Sequence, residues 1–161
     1  MFDVFGEFDS AKEINMAAEG LKNEGDKDSL YKLAKENGIE SGFVDMYLSG
    51  AMPELCDVAT AAIGKIDIEA EEMKPKEIIL DWVEYIKMQC MESEMMAVAV
   101  RRKGKSIKGC IAELLKWSFK NQIPVDKDVL KAAGVNASRV TLGIPGMGTA
   151  KKIIMDYYMR K

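Results

Sequence analysis

Histidine is absent from the 161 residues. Its absence removes the commonest general base near neutral pH, the commonest zinc ligand, and the base of Ser-His and Cys-His nucleophile pairs. Cysteine is scarce. Cys56, Cys90 and Cys110 are too few and too scattered for a disulfide scaffold or a thiolate cage, and they read as small buried apolar residues in a reducing compartment. Long apolar runs are missing too: the longest, Met95 to Val100, has six residues, against about 20 for a membrane-crossing helix. The first ten residues carry Asp3, Glu7 and Asp9 and no Lys or Arg, unlike an export signal. The expectation is a cytosolic, non-enzymatic protein with no metal, cofactor or membrane attachment.

Hydrophobic residues make up 48% of the chain and charged residues 30%, an ordinary globular balance. A compact monomer of 17.9 kDa exposes about 8,000 Å², so the chain is long enough to bury a core as a single domain. Almost every segment reads at helical period, and nothing alternates at period two for long. Ser10-Ala-Lys-Glu13 is a capping box ahead of a first helix ending at Gly25. Asp26 caps a second helix that Asn37-Gly38 stops, and Ser41 to Leu48 is a short third. Pro53 fits the first turn of a fourth, with an apolar seam from Leu55 to Ala70. Lys74-Pro75 breaks that helix and is a candidate boundary between acidic residues 1–73 and basic-leaning residues 76–161.

Further helices are predicted from Lys76 to Met91, from Glu94 to Arg102, from a Ser106 cap to Pro124, from an Asp126 cap to Gly134, and from a Thr149 cap onward. The fold class is all-α, a compact orthogonal bundle of about eight or nine helices.

Charge is divided along the chain. Residues 1–100 hold 22 acidic and 9 basic side chains, net −13, while residues 101–161 hold 4 and 14, net +10. Such polarity points to charged partners; the alternative is that the two parts neutralise each other. The densest basic cluster is Arg101, Arg102, Lys103, Lys105 and Lys108, taken as the candidate binding residues for a protein partner or nucleic acid. Helix physics explains part of it, since cations favour a helix C-terminus. It does not explain why Lys116, Lys120, Lys127 and Lys131 follow with so few acids between. No aromatics interleave the cluster, so it is not a single-strand stacking platform.

Five other motifs compete for attention. The stretch from Leu33 to Leu48 has the beat of a helix-turn-helix, but its second helix offers Glu40, Ser41, Asp45 and Met46 and no cation, so it reads as a structural corner. Asp128 to Val140 resembles the helix-turn-helix of lac-type repressors, with the turn at Ala132-Ala133-Gly134-Val135 and with Lys131, Asn136, Ser138 and Arg139 as candidate DNA contacts. Gly143-Ile-Pro-Gly-Met-Gly-Thr149 lacks the lysine that a phosphate loop places after its last glycine. Met88, Met91, Met95 and Met96 read as core filling, and Glu69, Glu71 and Glu72 as a solvated face.

Lys103-Gly-Lys-Ser-Ile-Lys-Gly-Cys-Ile111, followed by Asp126-Lys-Asp-Val-Leu130, resembles the core of the PcfK-like family, which shares a K-S-[LI]-x-x-C helix start and a D-x-[DE]-V element. Phe8 to Asn15 and Ala34 to Ile39 are similar to N-terminal extensions of other element-borne proteins. The family's His-Tyr-Tyr-type ending is replaced by Ala132, Ala133 and Gly134, and Asp156-Tyr-Tyr158 comes much later. Such proteins belong to conjugative and integrated elements of Gram-positive bacteria, and some relatives inhibit Cas9. The resemblance implies a non-catalytic accessory protein, an anti-CRISPR-type inhibitor whose partner is a Cas9-like nuclease, alone or with its guide RNA. The rival readings are a DNA-binding regulator and a scaffold in conjugative transfer, the latter as a homodimer through a stripe such as Leu55 to Ala70.

Overall fold

The computed structural model describes residues 2–160. Within them lie nine helices and a two-stranded ribbon, so the all-α expectation holds.

Helix α1 (Ala11–Glu24) starts where the Ser10 hydroxyl accepts from the amide of Glu13, and the Glu13 carboxylate accepts in turn from the amide of Asp9 at 2.7 Å. The Ser10 half of the box read from sequence forms as expected, while Glu13 reaches one residue further back, to Asp9 instead of the Ser10 amide. Helix α2 (Lys27–Glu36) is capped by Asp26 and α3 (Ser41–Ser49) follows after Asn37 and Gly38. Their inward residues, Ile14, Ala18, Leu30, Leu33 and Val44, form one core with Leu55, Cys56 and Ala61.

Helix α4 (Val58–Met73) begins five residues after Pro53, under an Asp57 cap. The reason is tertiary. Asn15 on α1 donates to the carbonyl of Cys56 at 2.8 Å and accepts from its amide at 3.1 Å. Both backbone groups of Cys56 are thereby taken, and Leu55 and Cys56 turn inward before the helix starts. Lys74 closes α4 in a left-handed conformation, φ 50°, ahead of Pro75.

Helices α5 (Ile78–Glu92), α6 (Glu94–Arg101), α7 (Ile107–Lys120) and α9 (Met147–Met159) pack with the second half of α4 around a second core. Trp82, Ile86, Met96, Val100, Ile107, Leu114, Ile154 and Tyr158 are its large members. The two cores adjoin inside α4, at Ala61 and Ala62, rather than at Lys74-Pro75. Helix α9 starts at Met147, two residues before the expected Thr149 cap, because the Ala150 amide already reaches the Gly146 carbonyl at 2.9 Å.

Between α7 and α9 runs a different kind of chain. Strand β1 (Ile123–Pro124), helix α8 (Lys127–Ala132) and strand β2 (Thr141–Leu142) contribute no buried side chain. The antiparallel ribbon pairs Ile123 with Leu142 and Pro124 with Thr141. Two-residue strands carry no period-two signal, which is why the sequence does not announce them. The whole chain exposes 9856 Å², roughly a fifth more than the about 8,000 Å² of a compact monomer of this mass. Residues 121–147 project as an arm, with Pro145 their single buried member.

The turn after α2 presses directly on α4. Gly38 has φ +67°, and a Cβ on it would overlap the backbone of Gly64, while a Cβ on Gly64 would overlap the carbonyl of Asn37. Neither neighbour is a flexible side chain that can move aside. Gly64→Ala is therefore expected to destabilise the fold by about 1–3 kcal/mol, the range for overpacking a filled site, read as a lower urea midpoint at unchanged slope. Gly20→Ala, where a Cβ meets nothing within 4 Å, is expected to hold or raise stability.

Candidate interaction surface

The cluster from Arg101 to Lys108 does not act as one surface, and Arg101 departs furthest from expectation. It is 1% exposed. Helix α6 turns it into the seam between the two cores, where its guanidinium donates to Asn37 Oδ1 at 2.6 Å and to the Ala61 carbonyl at 3.4 Å. Its charge faces Glu7, Glu69 and Glu13, and burial pulls its pKa down against them. Asn37 is itself buried and donates to the Leu33 carbonyl at 2.8 Å. Beside it, buried Lys65 holds Glu7 Oε1 at 2.6 Å and the Arg102 carbonyl at 2.8 Å. Sequence reasoning missed this because a cation at the end of an amphipathic helix looks solvated until the facing helix is in place.

Lys105 is also structural in part. Its ammonium donates to the carbonyls of Tyr157 and Arg160 at 2.8 and 2.6 Å, closing the end of α9, and lies 5.0 Å from the Tyr157 ring. The Lys103 amide donates to Asp9 Oδ1 at 2.8 Å, tying the α6–α7 turn to the N-terminal segment, while its side chain stays exposed. Arg102 is half-buried at a concavity shared with Met95, Val98 and Met159. Lys108 is exposed beside Glu69 and Glu72. The cluster divides into cations spent on the fold and cations left outside.

The acidic triplet divides likewise. Glu71 and Glu72 are exposed, but Glu69 is buried and accepts from the Ile107 amide at 2.6 Å, satisfying the first turn of α7. Burial raises its pKa, opposed by that hydrogen bond and by Lys65. The methionines also depart from expectation: Met96 is core, while Met88, Met91 and Met95 lie on the outside.

The repressor-like segment forms only its first helix. Helix α8 ends at Ala132, Gly134 turns at φ +67°, and residues 135–140 form no helix. The Val135 amide caps back onto the Leu130 carbonyl at 2.9 Å and the chain runs extended into β2. A recognition helix is therefore missing, and with it the geometry that sets side chains against base edges. Lys131, Asn136 and Ser138 nevertheless come together, lining an open hollow of about 330 Å³ with Lys127, Leu130 and Val135. Arg139 is exposed nearby in sequence but does not line it.

All three thiols are buried, and burial pushes each up to about 12. No metal-binding group of His, Cys, Asp and Glu is found among the described residues, and none of their helices is long and apolar enough to cross a membrane. Comparison with protein-family models, curated proteins and solved structures finds no match to this chain.

Two measurements check these assignments. Arg101→Ala leaves Asn37 Oδ1 buried without its donor and is expected to cost about 1–3 kcal/mol, the range for an unsatisfied buried acceptor. Lys108→Ala, on the same cluster but exposed, is expected to stay within about 0.5 kcal/mol. Glu69 supplies a pH dependence. A carboxyl whose folded pKa is raised binds more protons folded than unfolded, so its contribution to stability falls as pH rises from the ordinary glutamate range through the raised value. Glu69→Gln keeps an acceptor for Ile107 and removes that slope. Its urea midpoint is expected to gain on the parent's as pH rises from about 4.5 toward neutrality.

Proposed function

We propose that this chain is a non-catalytic interaction protein of a bacterial mobile element, and that its partner is a Cas9-like RNA-guided nuclease carrying its guide. The observation that carries the reading is that the charge division of the sequence survives folding. The seam uses Arg101 and Lys65, and Lys105 serves a helix end. Lys103, Lys108, Lys120, Lys127, Lys131 and Arg139 stay exposed, with no ion pair to any described residue. Exposed acids such as Glu24, Asp28, Glu40 and Asp45 mark the N-terminal helices. A body with opposite charge at its two parts is steered quickly toward a partner that presents both signs. A nuclease with a basic nucleic-acid channel, loaded with anionic guide, is such a partner. The resemblance of Lys103–Ile111 and Asp126–Leu130 to the PcfK-like core supports the choice.

The test is a pull-down with a guide-loaded Cas9, followed by a cleavage assay. The expected result is capture that weakens as salt rises from 50 to about 300 mM, screening the surface charges, together with slowed cleavage at stoichiometric inhibitor. Recovery of neither nuclease nor guide, with cleavage unaffected, sinks the reading.

A further inference from the structure

We infer that the docking surface is the arm, residues 121–147, together with the outer face of α7, and that its occupant is a protein surface with an apolar centre and an acidic rim. The inference rests on the reading of the chain as an interaction protein and names the chemistry of the partner's contact.

The first ground is apolar exposure held in place. Ile123 and Leu142 are paired across the ribbon, so their side chains leave the same face, yet they are 63% and 59% exposed. Phe119 is 76% exposed one helical turn beyond Leu115, also exposed, on α7. Val129, Ile144 and Met147 continue the exposure along the arm. Monomeric surfaces rarely leave so many large apolar groups uncovered along one segment. The arm is also anchored. Gln122 donates to the Ser118 carbonyl at 2.7 Å and accepts from the Thr141 hydroxyl at 2.8 Å. The Val125 amide reaches the Val140 carbonyl at 2.9 Å. Gly143 lets the ribbon close on α7, since a Cβ there would overlap the Gln122 side chain and crowd the Ser118 carbonyl. The apolar face is presented in a set position.

The second ground is charge, which chooses among occupants. Lys120, Lys127, Lys131 and Arg139 are exposed in or next to this segment and form no ion pair with any described residue. Its two acids are drawn into the start of α8, where the Asp126 carboxylate accepts from the Asp128 amide at 2.8 Å and Asp128 lies in the first turn. Lys127 and Lys131, one turn apart, flank the hollow at Asn136 and Ser138, which suits a carboxylate side chain. A second copy docking arm to arm would bring these cations face to face. A nucleic acid answers the cations but offers no complement to Ile123, Leu142 and Ile144, whose branched side chains neither stack on bases nor donate to phosphate. An apolar patch rimmed in carboxylates answers both.

The experiment does not depend on the nuclease. The full chain, labelled with nitrogen-15, is titrated with an acidic amphipathic peptide of Leu and Glu repeats and, separately, with an oligouridylate of equal charge. The expected result is peptide-induced shifts of amides in residues 115–147, with affinity at least tenfold above that of the oligouridylate. Leu142→Ser with Ile144→Ser, both exposed in the parent, is expected to lower peptide affinity at least tenfold without changing the melting temperature. Lys127→Glu with Lys131→Glu is expected to do the same. Three results overturn the inference: tighter binding of the oligouridylate that survives the serine changes, peptide shifts confined to other helices or absent, or a dimer in sedimentation that those serine changes dissolve. Failure of the nuclease pull-down alongside peptide binding at the arm rejects the partner and keeps the surface.

Discussion

The fold depends on one buried contact between a guanidinium and an amide. Arg101, at the end of α6, reaches Asn37, at the end of α2, across the boundary of two cores. Removing a guanidinium from water costs several kcal/mol, and the cost is met only if its donors find acceptors and a negative field surrounds it. Here Asn37 and the Ala61 carbonyl accept from the two terminal nitrogens, Nε is buried without a hydrogen-bond partner among the described residues, and Glu7, Glu69 and Glu13 supply the field. The contact is geometrically selective. It forms only when the α2–α3 turn lies close on α4, and Gly38 and Gly64 allow that approach by carrying no Cβ. Lys65 repeats the arrangement one helix over, joining Glu7 of the N-terminal segment to the Arg102 carbonyl of the C-terminal part.

This joint decides what the charges are free to do. The acidic front and the basic back do pack together, but among the described residues no ion pair joins one to the other. Arg101 and Lys65 are consumed in the seam, Lys105 at the end of α9, and Glu69 at the start of α7. The exposed remainder keeps its sign on each side. The consequence is a shift of the candidate surface along the chain, from Arg101–Lys108 to the arm and α7. There the cations belong to the same stretch of chain as uncovered apolar side chains. A patch that combines both is more selective than charge alone, because charge sets the rate and orientation of encounter while desolvated apolar contact sets the lifetime.

Most of the helices were legible in the sequence because their signals are local. Ser10, Asp26 and Ser106 cap where they were read to cap, and Gly25 and Gly50 end helices in left-handed conformations. Each signal needs only a side chain reaching a backbone group three residues away. The misplacements have non-local causes. Asn15, 41 residues away, holds Cys56 extended and delays α4 past Pro53, and the Gly146 carbonyl starts α9 ahead of Thr149. The repressor-like beat of Asp128–Val140 ends after one helix, because the chain beyond Gly134 pairs with β1 instead.

The sequence by itself determined the helical class, the absence of histidine among its 161 residues, and the division of charge into −13 and +10. These follow from composition and from interactions within a turn of helix. Only the tertiary structure decided which charges are spent and which remain. Arg101 and Lys108 are both cations near a helix end, and nothing in their immediate sequence separates them. One meets Asn37 from 64 residues away and the other meets solvent. Burial is a property of what lies opposite, and what lies opposite is set by the packing of the whole chain.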